Sequence, residues 1–374
     1  MTDLIHAAVL RSVGEPLRVE ELTLAEPGPE EILVEIEAAG VCHSDLHYVH
    51  GQLRCPLPVV PGHEGAGRVL AVGERTSGAI RPGDRVALLW RPNCQRCRAC
   101  VSGHPIMCEQ GAVQARSGGL PDGTTRLSDA AGPVHHLMGV SCFAERVVVH
   151  ERSAVRVPDD IPSEIAAIAG CAVITGVGAV RNVIGQAIGE PVVVMGAGGV
   201  GLAAVMGARL AGAGPIVVVD MQPERLALAR RLGATATIDP HDGDVVEQVL
   251  GLVPDGAAWV IEAIGRPQTL QSAVAVLRPL GTVIAVGLGA VGETFALPIN
   301  ELVQRQKRVV GSLYGSSIPS IDLPLIFDLY RSGRLPLNLL IGERYDLDGL
   351  NDAFDALVAG SVGRSVILPQ GTGR

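Results

Sequence analysis

The chain has 374 residues, of which 47% are hydrophobic and 18% are charged. This composition provides enough apolar surface for two or three folded domains and excludes a disulfide-held miniprotein or a disordered chain. Thirty Lys and Arg residues face 39 Asp and Glu residues, which gives a formal net charge of −9. Because this balance offers no broad positive field to a phosphate backbone, we expect no nucleic-acid partner.

Cysteine usage and the N-terminal residues indicate the compartment. Four of the eight cysteines lie within positions 94–108, as metal ligands do in a reducing environment. The N-terminal segment has Asp3, His6 and Arg11 close together and no apolar signal core. The longest uncharged stretch, 192–208, is shorter than a membrane span. We therefore expect a cytoplasmic protein with no membrane partner.

The first 150 residues are predicted to be mostly strand and turn. Residues 31–39 alternate apolar and polar side chains, and 67–72 and 85–89 are short apolar runs between segments rich in proline and glycine. Helix signals are scarce in this part of the chain.

From position 191 onward, apolar strands alternate with helical segments rich in Ala and Leu. This alternation is typical of a parallel sheet covered by helices, and it predicts an α/β fold. The predicted strands are 192–195, 216–220, 259–262, 282–286, 308–314 and 365–368. The predicted helices are 200–211, 223–232, 268–277, 324–332 and 347–359.

A G-x-G-x-x-G pattern lies between a predicted strand and a predicted helix. Gly196 permits the tight turn, Gly198 lets the backbone approach a pyrophosphate, and Gly201 allows close helix packing. The next strand is predicted to end at Asp220, whose carboxylate can accept hydrogen bonds from a ribose diol and repel a 2′-phosphate. The pattern predicts dinucleotide binding and favours NAD over NADP. The alternative is that these glycines only allow close packing.

Four cysteines, Cys94, Cys97, Cys100 and Cys108, form a second motif. Four thiols can close a tetrahedral zinc site, and a closed site fixes a loop instead of performing catalysis. An iron–sulfur cluster and unligated thiols remain as alternatives. We interpret the motif as a structural zinc site.

Ligands for a second metal are spread over three segments: Cys-His-Ser-Asp-Leu-His at 42–47, Gly-His-Glu at 62–64 and Gly-Cys at 170–171. A lone His or Cys is more often a core residue, but together with a nucleotide fold these residues fit a zinc site with two Cys ligands, one His ligand and an open fourth position. Cys55 and Cys142 are left over, and we interpret both as buried thiols without a role.

In their order and spacing, these motifs resemble the zinc-dependent medium-chain alcohol dehydrogenases over nearly the whole chain. The segments His-His-Leu-Met at 135–138 and Ser-Cys-Phe-Ala-Glu at 141–145 are most similar to the long-chain branch of liver-type and glutathione-dependent enzymes. The resemblance implies a GroES-like, mostly-β catalytic domain at 1–174 and 315–374. It also implies a Rossmann domain, a doubly wound parallel sheet that binds NAD, at 175–314.

The resemblance implies two zinc ions per chain, a catalytic zinc on Cys42, His63 and Cys171 and a structural zinc on Cys94, Cys97, Cys100 and Cys108. Glu64 would lie behind the catalytic zinc, and Asp45 would orient the imidazole ligand. Ser44 and His47 would carry the alcohol proton through the cofactor ribose to the surface. Without the resemblance, Ser44 would be interpreted as a turn hydroxyl and His47 as a solvated loop histidine.

The cofactor contacts are also implied by the resemblance: His43, Thr175, Gly196, Gly198, Gly199, Val200, Gly201, Asp220, Arg225, Val286 and Arg364. Among them, His43 would bind the pyrophosphate, Arg364 a phosphate and Arg225 the adenosine ribose. The alternative for each arginine is an exposed surface cation.

The family's substrate-pocket positions are occupied by apolar residues, which suits a hydrophobic alcohol: Leu53, Trp90, Leu137, Met138 and Leu288. Trp90 is expected to narrow the space beside the zinc and to disfavour bulky secondary alcohols. Glutathione-using relatives have an acid and an arginine where this chain has Leu53 and Ala112. Glutathione-linked formaldehyde oxidation is therefore disfavoured.

The expected function is zinc- and NAD-dependent interconversion of primary alcohols and aldehydes by hydride transfer. The alternatives are a thiol-adduct-dependent formaldehyde dehydrogenase, a dehydrogenase with tightly bound NAD and an external electron acceptor, and a non-enzymatic zinc- or nucleotide-binding protein. Because the family joins two nucleotide domains through the strand that matches 308–314, we expect a homodimer.

Overall fold

The computed structural model describes residues 3–371, apart from the side chains at positions 113 and 115. The strands are β1 (Asp3–Val9), β2 (Arg18–Leu24), β3 (Glu31–Gly40), β4 (Val59–Val60), β5 (Glu64–Val72), β6 (Arg85–Leu88), β7 (Leu127–Asp129), β8 (Gly132–His136), β9 (Arg146–His150), β10 (Ala154–Val157), β11 (Val192–Met195), β12 (Ile216–Val219), β13 (Ala236–Ile238), β14 (Ala257–Glu262), β15 (Leu277–Ala285), β16 (Arg308–Gly311), β17 (Ile341–Tyr345) and β18 (Arg364–Ile367). The α-helices are α1 (His43–Val49), α2 (Arg98–Val101), α3 (Glu109–Ser117), α4 (Ser163–Ile168), α5 (Ile174–Gly178), α6 (Gly199–Leu210), α7 (Pro223–Leu232), α8 (Val245–Leu252), α9 (Pro267–Ala275), α10 (Ile299–Gln304), α11 (Pro319–Arg331) and α12 (Leu350–Val358).

The chain divides into two compact units. The first unit contains Met1–Cys171, Ile318–Arg331 and Ile341–Arg374, and the second contains Ala172–Ser317 and Ser332–Leu340. Our expected boundaries at 174/175 and 315 lie close to the ends of these segments. The segment 332–340, which we expected in the first domain, belongs to the second unit, and its leucines at 335, 337 and 340 are buried.

The first unit is built on two largely antiparallel sheets, ordered β1-β2-β7-β8-β4 and β10-β6-β5-β3-β18-β17, with β9 also pairing with β3. Along β3 the side chains of Ile32, Val34 and Ile36 are fully buried, while intervening residues are partly exposed, as the predicted alternation requires. This confirms the strand predicted at 31–39. The structure also contains α1, α2 and α3 in a region where we expected few helices.

The second unit is an entirely parallel sheet in the order β13-β12-β11-β14-β15-β16. The strand order changes direction beside β11, and ligands of such sheets bind at the carboxyl ends of the strands at this point. The predictions of β11 and α7 are confirmed to the residue. Together with the mostly-β first unit, this sheet confirms the predicted fold class.

Several predicted elements in the second half of the chain have different limits in the structure. β15 begins at Leu277, so the predicted helix 268–277 ends earlier, at Ala275. The strand predicted at 308–314 ends at Gly311, because Tyr314 and Gly315 adopt positive φ values of 53° and 66°, which a strand cannot contain. The helix predicted at 324–332 begins at Pro319.

A long helical stretch, Ser163–Ile184, comprises α4, α5 and two π-helical segments, Ala169–Val173 and Ala179–Ile184. Within the part of the chain that the structure describes, this is one helix long and apolar enough to cross a membrane. In the fold, 89% of its apolar window is buried, as in the core helix of a globular protein.

Close packing of β3 against β5 in the first unit predicts that Gly67 cannot be replaced by a larger residue without loss of stability. A Cβ atom at Gly67 would lie 1.9 Å from the backbone oxygen of Glu35, so the two strands must separate to admit it. We expect Gly67→Ala to destabilise the protein by about 3 kcal/mol. Gly251→Ala is the control, because Gly251 lies in α8 and nothing lies within 4 Å of a Cβ atom at this position. There we expect alanine to raise the free energy of unfolding by about 0.5–1 kcal/mol. Calorimetric melting midpoints measure both effects, and an unchanged midpoint for Gly67→Ala would contradict the packing.

Candidate functional site

Four side chains with metal-binding atoms meet in a buried cluster of the first unit. The ligand atoms of Cys42, His63, Glu64 and Cys171 all lie within 4.8 Å of one another. The pairing of β3 with β5 brings the first three together, because it places Gly40 opposite Glu64. The fourth, Cys171, lies in a π-helical segment, a local irregularity that is frequent at functional sites.

Asp45 orients the imidazole of this cluster. One carboxylate oxygen of Asp45 lies 3.0 Å from Nδ1 of His63 and also accepts the backbone N–H of Gly62 at 3.1 Å. Both Asp45 and His63 are buried. Because Nδ1 faces the carboxylate, Nε2 is the nitrogen available to a metal, as is usual for ligating histidines.

The side chains of Cys42 and Cys171 are joined by a hydrogen bond. The hydrogen bond from Cys171 holds the pKa of the Cys42 thiol well below its ordinary value. The same bond, together with burial, raises the pKa of Cys171. A thiolate beside a second thiol and an oriented imidazole is a donor set that zinc prefers. These residues therefore fit a zinc ion with three protein ligands and an open position.

A buried ion pair lies behind these donors and was not predicted from the sequence. Nη2 of Arg364 lies 3.2 Å from Glu64, and Nη1 donates to the backbone oxygen of Val41 at 3.0 Å. Burial raises the pKa of Glu64 to about 8, against the opposing effect of the arginine charge. Arg364 is buried, so the surface-cation alternative for this residue is wrong. No local sequence signal indicates this pairing.

The second metal-binding cluster contains the four sulfur atoms of Cys94, Cys97, Cys100 and Cys108, all within 4.8 Å of one another. Backbone amides stabilise negative charge on these sulfurs: Cys97 N–H donates to the sulfur of Cys94 at 3.3 Å, and Cys94 N–H donates to the sulfur of Cys108 at 3.2 Å. The backbone hydrogen bond from Arg96 is the main cause that lowers the pKa of Cys94 to about 6. Four converging sulfurs fit a closed tetrahedral zinc site.

The glycine-rich turn of the second unit has the expected local geometry. It follows β11 and begins α6, with φ of 95° at Gly196. A Cβ atom at Gly201 would lie 1.7 Å from the backbone oxygen of Gly196, whereas nothing lies within 4 Å of a Cβ at Gly198. Asp220 follows β12 and accepts the N–H groups of Ala197 at 2.6 Å and Gln222 at 2.9 Å. The carboxylate is thereby held beside the turn.

The remaining predicted cofactor residues differ in exposure. In the second unit, Thr175 is buried, whereas Arg225 and Val286 are partly buried. Val286 donates its N–H to the backbone oxygen of Glu262 at 2.8 Å. His43 of the first unit is exposed.

The structural role of Glu262 was not predicted from the sequence. Its buried carboxylate accepts the N–H groups of Ile264 at 3.0 Å and Gly265 at 2.9 Å and the hydroxyl of Thr269 at 2.7 Å. It thereby orders the loop that follows β14. An acidic residue at the end of an otherwise apolar strand, Ala257–Glu262, is the signal that could have revealed it.

The predicted pocket residues are distributed over both units. Leu137 and Met138 are buried in the first unit, where Leu53 and Trp90 are partly buried against the same core. Leu288 is exposed and belongs to the second unit. The structure thus groups four of the five positions around one apolar core.

The two predicted proton-relay residues lie on one helix. Ser44 and His47 both belong to α1 and are partly exposed, and the ring of His47 is hydrogen-bonded to Gln52.

Of the two cysteines without an assigned role, Cys142 is buried as expected, whereas Cys55 is only partly buried.

Comparisons with known proteins agree with this architecture. The family model described as alcohol dehydrogenase GroES-like domain matches residues 28–159, and the one described as zinc-binding dehydrogenase matches residues 199–329. The chain is 38% identical over 367 residues to geraniol dehydrogenase of Castellaniella defragrans, with 97% of each chain covered. It is 36% identical over 366 residues to the NDMA-dependent alcohol dehydrogenase of Amycolatopsis methanolica, covering 97% of this chain and 98% of the relative.

A solved structure extends the likeness to three dimensions. The crystal structure of benzyl alcohol dehydrogenase from Acinetobacter calcoaceticus has a TM-score of 0.93 and 31% sequence identity, with 98% of this chain and 99% of that chain covered. The fold and its two clusters thus define a zinc-binding dehydrogenase. More particularly, the chain belongs to the zinc-dependent medium-chain alcohol dehydrogenase family, and it is an oxidoreductase acting on CH–OH donors.

The buried histidine that precedes Leu137 predicts sensitivity to acid. Burial, assisted by the charge of Arg126, lowers the pKa of His136 to about 3, and its Nε2 accepts the N–H of Arg126 at 3.2 Å. An unfolded histidine binds a proton below pH of about 6.5, but this buried one does not. Stability is therefore complete above that pH and falls by about 1.4 kcal/mol per pH unit as the pH drops towards 3.

His136→Gln isolates this effect, because glutamine keeps a hydrogen-bond acceptor and does not titrate. Between pH 6.5 and 4.5 we expect the wild-type protein to lose about 2 kcal/mol more stability than the variant. Urea unfolding at a series of pH values measures the difference. Equal losses in both proteins would contradict the neutral, buried state of the imidazole.

Proposed function

We propose that this chain oxidises hydrophobic primary alcohols to aldehydes with NAD and catalyses the reverse reduction, using one catalytic and one structural zinc ion. The observation that carries the proposal is the convergence of Cys42, His63 and Cys171, with the imidazole already oriented by Asp45. A zinc ion held by these three residues supplies a Lewis acid that lowers the pKa of an alcohol hydroxyl.

The protein groups around this centre have separate tasks in the proposal. Asp45 keeps the ligating nitrogen of His63 directed at the centre. The positive charge of the buried Arg364 favours the ionised forms of Cys42 and Glu64. The hydroxyl of Ser44 would take up the substrate proton while passing its own proton on through the cofactor ribose, and the partly exposed His47 would accept that proton and release it to solvent.

The cofactor assignment depends on the second unit. Gly196, Gly198, Gly199, Val200 and Gly201 form the turn at the N-terminus of α6, where backbone N–H groups and the helix dipole favour a pyrophosphate. Asp220 is held beside that turn and would accept the ribose hydroxyls, which favours NAD. Thr175, Arg225 and Val286 of the same unit complete the proposed contacts.

The proposed substrate class is supported by the apolar residues at the predicted pocket positions. Leu53, Trp90, Leu137 and Met138 pack against one core of the first unit. Relatives are named for geraniol and benzyl alcohol, both of which are hydrophobic primary alcohols. Leu53 and Ala112 offer no charged anchor for glutathione. These features support an unsaturated or aromatic primary alcohol.

A second candidate concerns the final electron acceptor. A relative that is 36% identical is named an NDMA-dependent alcohol dehydrogenase. In this candidate the chain keeps NAD bound between turnovers and passes electrons to an external acceptor. Cofactor that remains with the protein through gel filtration would favour this candidate, whereas cofactor-free protein that reduces added NAD would favour the first.

The assembly and location are further parts of the proposal. We infer a homodimer formed through β16, because this strand is the edge of the parallel sheet and an open edge favours pairing with a second copy. A negative net charge supports the absence of a nucleic-acid partner. We also propose a cytoplasmic location without membrane association, in line with four clustered cysteines that suit a reducing compartment.

Removing one ligand from each cluster tests the two metal assignments. We expect Cys171→Ser to lose one of two zinc ions and to lower alcohol oxidation at least about 10³-fold, because the ligand set of the catalytic centre is broken. Cys97→Ser is also expected to lose one zinc ion but mainly to lower the melting midpoint. Atomic emission measures the metal, and NADH formation measures the activity.

Cys55→Ser is the matched control and should retain both metal ions and full activity, because Cys55 belongs to neither cluster. The catalytic assignment is refuted by a Cys171→Ser protein that binds one zinc ion and oxidises alcohols at the wild-type rate.

The charge of Asp220 is expected to determine cofactor choice. Asp220→Asn should raise the KM for NAD about tenfold and improve the use of NADP, because the amide is a weaker acceptor and no longer repels a 2′-phosphate. Asp242→Asn removes the same charge from an exposed position of the same unit and serves as control. Steady-state kinetics with both cofactors measure the change, and an unaltered NAD/NADP ratio would contradict the role.

A further inference from the structure

The side chain of Gln52 lies against the imidazole of His47, and none of the assigned roles includes it. The carbonyl oxygen Oε1 of Gln52 is hydrogen-bonded to Nδ1 of His47. A carbonyl oxygen can only accept a hydrogen bond, so the proton of the neutral ring must be on Nδ1. The other ring nitrogen, Nε2, then carries the free lone pair.

The backbone is folded to make this contact. After α1 the chain reverses at Gly51, whose φ is 72°, and the N–H of Leu53 returns to the backbone oxygen of His47 at 3.0 Å. The helix is anchored from its other face, because Tyr48 and Val49 are buried and Val49 accepts the N–H of Gly14 at 2.7 Å. The turn therefore holds Gln52 beside a fixed helix.

The loops at Gly14 and Leu53 are hydrogen-bonded to α1, and they carry further charged or titratable groups. Those on α1 and on the two loops packed against it are Arg11, Glu15, His43, Asp45, Tyr48, His50, Arg54 and Cys55. Several of them are already engaged elsewhere: Arg11 pairs with Glu20 and Asp129, and Asp45 bonds to His63. Within the described residues, the ring of His47 makes its hydrogen bond to Oε1 of Gln52.

We propose that Gln52 is a positioning residue for proton transfer: it holds the imidazole proton of His47 on Nδ1 and leaves Nε2 as the nitrogen that accepts a proton. This inference rests on the proposed function, in which His47 releases the substrate proton. In that step Nε2 accepts the proton, Nδ1–H stays bonded to Gln52, and the imidazolium then returns the Nε2 proton to water. The ring ends each cycle in its starting tautomer.

The tautomer can be observed without cofactor or substrate. Nitrogen-15 spectra of the histidine-labelled protein distinguish Nδ1–H from Nε2–H rings, and His47→Asn identifies the signal among the ten histidines. We expect the Nδ1–H form in the wild type. Gln52→Leu should change the tautomer ratio about 2- to 12-fold, the factor that corresponds to losing one neutral hydrogen bond. Gln52→Glu, which keeps an acceptor, should restore the Nδ1–H form.

Kinetics provide the second measurement. We expect Gln52→Leu to lower kcat for alcohol oxidation about 2- to 12-fold with an unchanged KM for the alcohol. In Gln52→Glu the added carboxylate favours the imidazolium, so the acid limb of the pH–rate profile should move to higher pH. In a His47→Asn background, neither substitution should have an effect. His50→Gln, which alters an exposed histidine three residues away, is the matched control and should leave both readouts unchanged.

The outcomes separate this inference from the proposed function. A wild-type ring protonated on Nε2, or a tautomer ratio that Gln52→Leu leaves unchanged, overturns the role of Gln52 even if His47→Asn is slow. Conversely, a His47→Asn enzyme with the wild-type rate and pH profile overturns the proton route of the proposed function. In that case the nitrogen-15 spectra still decide whether Gln52 fixes the ring.

Discussion

The hydrogen bond between Asp45 and His63 is the interaction on which the rest of this site depends. Both side chains are buried, and a buried carboxylate is costly unless donors compensate it. The N–H of Gly62 and the imidazole provide that compensation, and they fix the ring with Nε2 free. Pairing of β3 with β5 then places the ring beside Cys42, and the π-helical turn adds Cys171. The buried carboxylate of Asp45 would be costly alone, and the groups that compensate it also build the metal-binding geometry.

The sequence predicted best those elements whose limits are set by neighbouring residues. β11 and α7 were predicted to the residue, because one is a continuous apolar run before a glycine turn and the other begins at a proline. The helical stretch Ser163–Ile184 was not predicted. Its residues 165–180 are small or apolar and all buried, so this part has no polar face to reveal helical periodicity. The early end of β16 depends on positive φ angles at Tyr314 and Gly315, which no local pattern encodes.

In the candidate site, too, residues with a local sequence signal were predicted and contacts between distant residues were not. Cysteine and histidine ligands could be predicted because their chemistry is distinctive and their spacing follows the resemblance to a known family. The pair of Glu64 and Arg364 could not be predicted, since it joins residues far apart in the chain and neither carries a local signal. Gln52 is similar: a polar residue in a loop is ordinarily solvated, and only the turn at Gly51 brings it to His47. The motifs therefore predict the metal ligands, whereas the residues that contact and orient the site become visible only in the structure.

Anomalous diffraction at the zinc absorption edge, measured on crystals of the purified protein, tests the central claim most directly. The account predicts two peaks per chain. One peak lies at about 2.3 Å from the sulfurs of Cys42 and Cys171 and about 2.1 Å from Nε2 of His63, and the other lies among the four clustered cysteines. A peak on Nδ1 of the imidazole, or no peak between these three side chains in protein that is active, would contradict it.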